Sequence, residues 1–260
     1  MSGQLWERIA PLLPVHETHH PLGAHRKRVD NRTAMNAIFF VLRTGCQWNA
    51  LNATGICSSN SAHRRFQEWR DAGVFEQFWQ NGLLACEKLD AIDWSWLSMD
   101  GCMTKSPLAG SKTGRNPTDR GKQGVKRSLM TDANGLALSL VVAGANTNDI
   151  KLVEDTLDGL QTGRPGQRLR LCLDKGYAAE WLETCLKARR YEPHIQSRKE
   201  ESEAIKNSDF KAHRWVVERT HSWMNRFRRI LTRWVKKVEN YEAMLHFACS
   251  IMVWNKILLG

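Results

Sequence analysis

The sequence of 260 residues carries 38 Lys+Arg against 27 Asp+Glu, a formal net charge of +11 and a pI near 9.5. With 42% hydrophobic and 25% charged residues it falls in the ordinary globular range, which excludes disordered and fibrous readings. No apolar run approaches the ~18 residues a bilayer span requires, and the opening MSGQLWERIAPLLP lacks a basic stretch followed by an apolar one, so neither a membrane protein nor a secreted one is expected.

Cys46, Cys57, Cys86, Cys102, Cys172, Cys185 and Cys249 are dispersed without a CxxC pair. They predict reduced, buried thiols in a cytosolic chain rather than a disulfide framework or a zinc site. His16, His19 and His20 lie together without thiols or carboxylates at ligand spacing and read as a polar loop. The surplus of positive charge points to a polyanion, without separating a DNA enzyme from a repressor or a ribosome-associated protein.

Residues 1–90 read as helices. Asp30 or Asn31 caps a helix through RTAMNAIFFVLRTGC, in which Met35, Ile38, Phe39 and Leu42 recur at helical spacing. After the loop NALNATGICSSN, Ser61 opens SAHRRFQEWRDAG, which turns Phe66 and Trp69 inward and leaves His63, Arg64, Arg65 and Arg70 outside. A helix, a short connection and a second basic helix is the pattern of a helix-turn-helix DNA reader, and also of many small helical domains without that role. The expected division is a small all-α, helix-turn-helix-like domain over 1–90 and a second domain over 91–260.

From Trp94 the period becomes that of strands. WSWLSMD, KRSLMTD, ALSLVVAGA, LRLCLD and YEPHIQS are short, apolar and β-compatible. Asn134-Gly135 marks a two-residue hairpin turn between the second and third. Asp149 opens a helix through IKLVEDTLDGL, AAEWLETCLKARR follows the fourth strand, and a long helical region comes last. Three strands in a meander, then helix, strand, helix, strand, helix predict an α/β fold: a ribonuclease-H-like mixed sheet flanked by helices.

The positive charge sits in two stretches. Thr104–Ser128 holds Lys105, Lys112, Arg115, Arg120, Lys122, Lys126 and Arg127 against Asp119 alone, and its Gly and Pro residues predict a loop. Lys211–Lys237 holds Lys211, Arg214, Arg219, Arg226, Arg228, Arg229, Arg233, Lys236 and Lys237 against Glu218 alone. Together they exceed the whole net charge of +11, so the remainder is slightly acidic. Two such runs favour a surface that binds a phosphate backbone over mere solvated faces.

Asp100 and Asp174 are expected at the ends of the first and fourth strands, where a rigid sheet aims carboxylates at a ligand; the same positions suit Asp as a turn or cap residue. On a helical wheel through Lys211–Lys237, Val216, Thr220, Trp223, Phe227, Ile230 and Trp234 form one packing stripe. Lys211, Arg214, Glu218, His221, Asn225 and Arg229 lie opposite. Glu218, the single acid on a basic face, reads either as a helix ion-pair partner of Arg214 or as a third acid of a site.

These residues carry a resemblance. LSMDGCMTKSPLAGSKTGRNPTDRGKQGVKRSLMTDANGLALSLVVAGANTNDIKLVEDTLDGL, then LCLDKGY, then HRWVVERTHSWMNRFRRILTRWVKKVENY is similar to the DDE transposases of small bacterial insertion sequences, and more narrowly to the group called insertion sequence five within the insertion sequence four-like superfamily. WERIAPLLP, VLRTGCQWNAL and SAHRRFQEWRDAGVF resemble that group's N-terminal helical domain. The resemblance spans nearly the whole chain, in family order. It implies Asp100, Asp174 and Glu218 as catalytic triad and metal ligands, with Mg²⁺ as cofactor, two ions, and Mn²⁺ able to substitute. The 44 residues from Asp174 to Glu218 leave room for a helix and a strand but not for the large insertion of some relatives. Of the superfamily's Tyr, Arg, Glu, Lys signature, Arg214 and Glu218 fit, whereas Lys211 and Asn225 stand at the tyrosine and lysine positions.

The implied function is a transposase that binds terminal inverted repeats, cuts the element ends and joins the freed 3′-OH to target DNA. Carboxylates suit this chemistry because they are the hard oxygen ligands Mg²⁺ favours. DNA contacts are expected from Arg64 and Arg65 in the second helix, from the seven cations of the first basic run, and from Lys211, Arg214, Arg226, Arg228 and Arg229 of the second. The expected partners are DNA and a second copy of the chain in the synaptic complex, and the expected location is the bacterial cytoplasm at the nucleoid. The competing reading is an inactive or domesticated relative acting as a sequence-specific DNA-binding protein; a magnesium titration of end cleavage separates the two.

Overall fold

The structure, a computed structural model, describes residues 1–16, 28–162, 165–196 and 213–259. Lys211, His19 and His20 lie outside the described residues. Compactness divides the chain into two units, Met1–Gly82 with Arg226–Leu231 and Lys237–Gly260, and Leu83–Asn225 with Thr232–Lys236.

The first unit is helical. α1 (Gly3–Ile9) is capped by Ser2, and α2 (Asn31–Thr44) by Asp30, whose carboxylate accepts from the Thr33 N–H at 3.0 Å. Gly45 ends α2 at φ 71, a left-handed conformation that glycine adopts without steric cost. α3 (Ser59–Asp71) is capped by Ser58, starts earlier than expected, and buries Ala62, Phe66 and Trp69. α4 (Val74–Lys88) follows and runs across the boundary between the units. The last helix of the chain, Val238–Leu259, belongs to this first unit and buries residues on most of its circumference. Phe247 packs on Phe39 and Phe75, and the Trp254 indole N–H donates to the Phe78 carbonyl at 3.1 Å. A helix apolar nearly all round needs cover on every side, and α2 and α4 supply part of it. Among the described residues no helix is long and apolar enough to cross a membrane.

The second unit is built on a six-stranded sheet: β1 (Leu97–Lys105), β2 (Gly114–Arg115), β3 (Gln123–Thr131), β4 (Ala137–Gly144), β5 (Leu169–Asp174) and β6 (Tyr191–Gln196). β3 is central to the meander, antiparallel to β1 on one edge and to β4 and the short β2 on the other. β5 adds parallel to β1 and β6 parallel to β5. With α5 (Val153–Asp158) between β4 and β5 and α6 (Glu180–Ala188) between β5 and β6, this is the ribonuclease-H-like mixed sheet.

Three expectations change here. The Asn134-Gly135 turn is part of a wider loop, because the buried Asp132 carboxylate accepts from the N–H groups of Asp93, Asn134 and Leu136 at 2.7–3.0 Å. The cap of the turn before α5 is Asn148, with Asp149 its first residue. The long helix over Lys211–Lys237 is broken. α7 (Trp215–Met224) belongs to the sheet unit, α8 (Arg228–Leu231) to the helical unit, and Thr232–Lys236 to the sheet unit again. Phe227 and Ile230 are buried in the first unit, while the Arg233 N–H donates to the Lys105 carbonyl at 2.8 Å, so two cores claim successive stretches of one segment. Trp234, expected to pack, is 51% exposed, and Trp223 is half-buried.

Candidate active site

Strand register brings the two aspartates together. β1 and β5 pair in parallel through Leu97↔Leu171 and Ser98↔Cys172, and two residues further along the same faces come Asp100 and Asp174. Side chains alternate with period two, so the carboxylates project from one face of adjacent strands. Asp174 closes β5 as expected, and its Oδ1 accepts from the Gly176 N–H at 2.7 Å; it is a cap and a candidate acid at once. Asp100 is not at a strand end. β1 continues to Lys105 because β3 goes on pairing with it through Lys105↔Gly124, although its partnership with β5 has stopped at Ser98. Asp100 therefore lies where two neighbouring strands separate, with its Oδ1 accepting from the Gly101 N–H at 2.7 Å.

α7 approaches that same edge of the sheet unit. The Ser98 hydroxyl donates to the His213 carbonyl at 2.8 Å just before the helix. Buried His221 places Nε2 3.4 Å from the Asp100 carbonyl. The wheel put His221 among polar residues opposite the packing stripe; in the structure it faces the sheet, and Glu218, one turn earlier, is exposed. Burial first, and the Arg127 guanidinium second, push the His221 imidazole down to about 3, so it is neutral at physiological pH.

Burial is also the largest influence on Asp100, raising its carboxyl to about 6, and the negative charges of Asp174, Asp149 and Glu218 push the same way against the Gly101 hydrogen bond. Four acids thus share one field. Asp149 is the one absent from the expected site. It enters from the other face, across Gly101, where a methyl group would come within 1.9 Å of its Oδ1. Its Oδ2 accepts from Lys126 Nζ at 2.6 Å, and that ammonium also donates to the Thr147 carbonyl at 2.8 Å. The sequence signal was the run Asn146, Thr147, Asn148, Asp149 immediately before a helix, which capping alone does not exhaust. Tyr177 is 1% exposed, and burial together with Asp149, Asp100 and Asp174 raises its phenol above the ordinary range.

Among the described residues no three His, Cys, Asp or Glu side chains stand close enough together to form a ready-made metal cage. The donor chemistry nevertheless fits a hard divalent cation, because the side chains around Asp100 are carboxylates whose mutual repulsion such a cation relieves.

The expected DNA-contacting cations separate into two groups. Arg64, Lys105, Lys112, Arg115, Arg120, Lys122, Arg226 and Arg228 are exposed. Three are not. Arg65 is buried, donating to Asn31 and to the Val29 carbonyl. Lys126 is buried against Asp149, and Arg127, 1% exposed, donates to Asn225 Oδ1 at 3.2 Å and Cys102 Sγ at 3.5 Å. The reason is local: Lys126 and Arg127 belong to β3, not to the loop, and a central strand buries both faces. Arg214 is half-buried, and so is Arg229, whose guanidinium lies over the Trp48 ring and donates to the Cys46 carbonyl.

Residues 91–253 match the family model described as "Transposase DDE domain", and residues 1–79 the one described as "Putative transposase of IS4/5 family". The Burkholderia cepacia protein named "Putative transposase for insertion sequence element IS402" is 38% identical over 152 residues, spanning 56% of this chain and 70% of that protein. "Insertion element IS402 uncharacterized 16.2 kDa protein", from the same organism, is 35% identical over 118 residues, 45% of this chain and 80% of that protein. The solved piggyBac transposase synaptic complex with hairpin DNA aligns with a TM-score of 0.51 at 13% identity, covering 97% of this chain and 71% of that one, a likeness of fold.

Proposed function

The chain belongs to the DDE transposases of bacterial insertion sequences, and on that premise we propose that Asp100, Asp174 and Glu218 are the acids that carry its cleavage and transfer of DNA strands. The observation behind this reading is the register that sets Asp100 beside Asp174 on one face, with α7 bringing Glu218 near enough to act on the Asp100 carboxyl. Divalent cations, two Mg²⁺ with Mn²⁺ able to replace them, would be held by these three carboxylates and would supply Lewis-acid charge at the scissile phosphate and acidify water there.

The protein's own groups do the rest. The Gly101 and Gly176 N–H groups fix the orientation of the Asp100 and Asp174 carboxylates. Neutral His221 holds the Asp100 backbone without adding a competing cation. Glu218, exposed on α7, completes the acidic set and orients water at the element end; after cleavage the 3′-OH attacks a target phosphate in line, and the target strand's own 3′ oxygen leaves. Lys105, Lys112, Arg115, Arg120 and Lys122 hold phosphates of the DNA end. In the helical unit, exposed Arg64 of α3 reads the terminal inverted repeat, with Arg226 and Arg228 on its backbone. Two copies act together, one per element end, in the bacterial cytoplasm at the nucleoid.

Asp100→Asn, Asp174→Asn and Glu218→Gln are each expected to lower Mg²⁺-dependent end cleavage and strand transfer by roughly 10³-fold or more, measured on oligonucleotides carrying the element's ends. Strand transfer at the wild-type rate in Asp100→Asn or Glu218→Gln would overturn the triad. Arg64→Ala is expected to lose the preference for element ends over random duplex.

A further inference from the structure

Besides His221 Nδ1, buried polar atoms near the candidate acids without a hydrogen-bond partner among the described residues include Asp149 Oδ1, an acceptor, and the Tyr177 hydroxyl, a donor. Native proteins rarely leave such atoms bare, because each forfeits the hydrogen bond that water gave it in the unfolded chain. They belong to different elements. Asp149 opens the turn before α5, and Tyr177 closes the turn after β5. Asp149 Oδ1 lies against Gly101, whose N–H donates to Asp100, and Tyr177 ends the turn that Asp174 caps.

The surrounding construction holds them there. Lys126 grips Asp149 by Oδ2 only, leaving Oδ1 turned toward Gly101. Gly101 has no Cβ to block that approach; the methyl of an alanine would overlap Oδ1. Tyr177 is fixed by near-complete burial of its ring.

A hydrated divalent cation is the ligand that suits an orphaned acceptor and an orphaned donor placed around paired carboxylates. Mg²⁺ keeps several waters when it binds protein oxygens, and those waters both donate and accept. We propose that Asp149 and Tyr177 are positioning residues for the metal site, the Asp149 Oδ1 and the Tyr177 hydroxyl receiving the waters that a divalent cation brings to Asp100 and Asp174. The inference rests on the assignment of metal binding to Asp100 and Asp174.

The test uses the full chain without DNA, titrated with MnCl₂ by calorimetry, alongside thermal unfolding in EDTA. Loss of an outer partner of this kind typically weakens metal binding about 10–100-fold. Tyr177→Phe is therefore expected to weaken Mn²⁺ binding by about tenfold or more, while its metal-free unfolding temperature stays at or above wild type, since the variant removes an orphaned hydroxyl and keeps the ring. A merely structural tyrosine would give the opposite pair of results. Asp149→Asn is expected to weaken Mn²⁺ binding in the same range, with Asp149→Glu recovering part of it. Should Asp149→Asn not fold, Gly101→Ala carries the same test, because the added methyl displaces the carboxylate. Mn²⁺ affinity within twofold of wild type in Tyr177→Phe, and in Asp149→Asn or its substitute, overturns the proposal. Asp100→Asn is the control: if it binds Mn²⁺ as wild type does, the metal assignment itself falls; if it does not, the failure belongs to Asp149 and Tyr177 alone.

Discussion

Lys122 and Arg127 lie five residues apart in one basic run, yet the hairpin that carries the first and the strand that carries the second are opposite environments. Between β1 and β3 the chain is punctuated by Gly and Pro, and the side chains of Lys112, Arg115, Arg120 and Lys122 reach solvent. Once β3 begins, every residue after Gln123 is buried, and the cations need partners in the fold: Asp149 for Lys126, Asn225 for Arg127. The same charge is exposed surface in one place and internal scaffolding in the other. What decides is not charge density but whether the local sequence lets a central strand form.

The sharpest test removes the internal cation. Arg127→Ala strips a buried guanidinium from Asn225 and Cys102 and is expected to cost about 2–4 kcal/mol in urea unfolding. A variant as stable as wild type would mean that Arg127 is not part of the scaffold.

A smaller effect of opposite sign comes from Asp100. Its folded carboxyl is raised to about 6, above the ordinary value of 3.8, so ionised Asp100 opposes folding at neutral pH and ceases to do so in acid. Asp100→Asn is expected to gain roughly 1–3 kcal/mol at pH 8 in the absence of metal. The gain should vanish near pH 4. His221 runs the other way: its folded value of about 3 lies below the ordinary 6.5, so its contribution to stability is present above pH 6.5 and lost as the pH falls. The two opposing slopes partly cancel in wild type, and Asp100→Asn should lose stability more steeply between pH 6 and 4. Parallel pH profiles of the two proteins would contradict the burial of Asp100.

The smallest expected effect lies on the hairpin. Changing Lys112, Arg115 and Arg120 to Ala should leave stability within about 0.5 kcal/mol per site. It should also reduce the slope of log affinity for duplex DNA against log salt by roughly 0.9 per residue that contacts a phosphate. An unchanged slope would move the phosphate contacts elsewhere, and a loss of stability matching Arg127→Ala would erase the contrast between the two regions.

The strands were legible because apolar alternation and flanking Gly, Asn and Asp are local signals: β3 to β6 lie close to where the sequence put them. Asp174 at a strand end and Glu218 on a helix were legible for the same reason. What was hidden depends on non-local partners. Asp100 was expected to end its strand because Gly101 follows, but antiparallel pairing with β3 carries β1 onward. The wheel through Lys211–Lys237 assumed one helix, and no Pro or Gly warns that the chain changes units after Asn225. Asp149 comes beside Gly101 only through tertiary folding, since 49 residues of chain separate it from Asp100, whereas Tyr177 stands three residues after Asp174.

The discontinuity of the helical unit bears on how the protein is made. Phe78 and Phe75 find their cover in Trp254 and Phe247, the first pair 176 residues apart in the chain. At about 5–20 residues per second, synthesis takes roughly eight to thirty seconds to travel from the end of the first segment to the helix that carries Trp254 and Phe247. Through that interval the N-terminal helices have no finished core, while nearly all of the sheet has already emerged. The helical unit therefore begins before the sheet and closes after it.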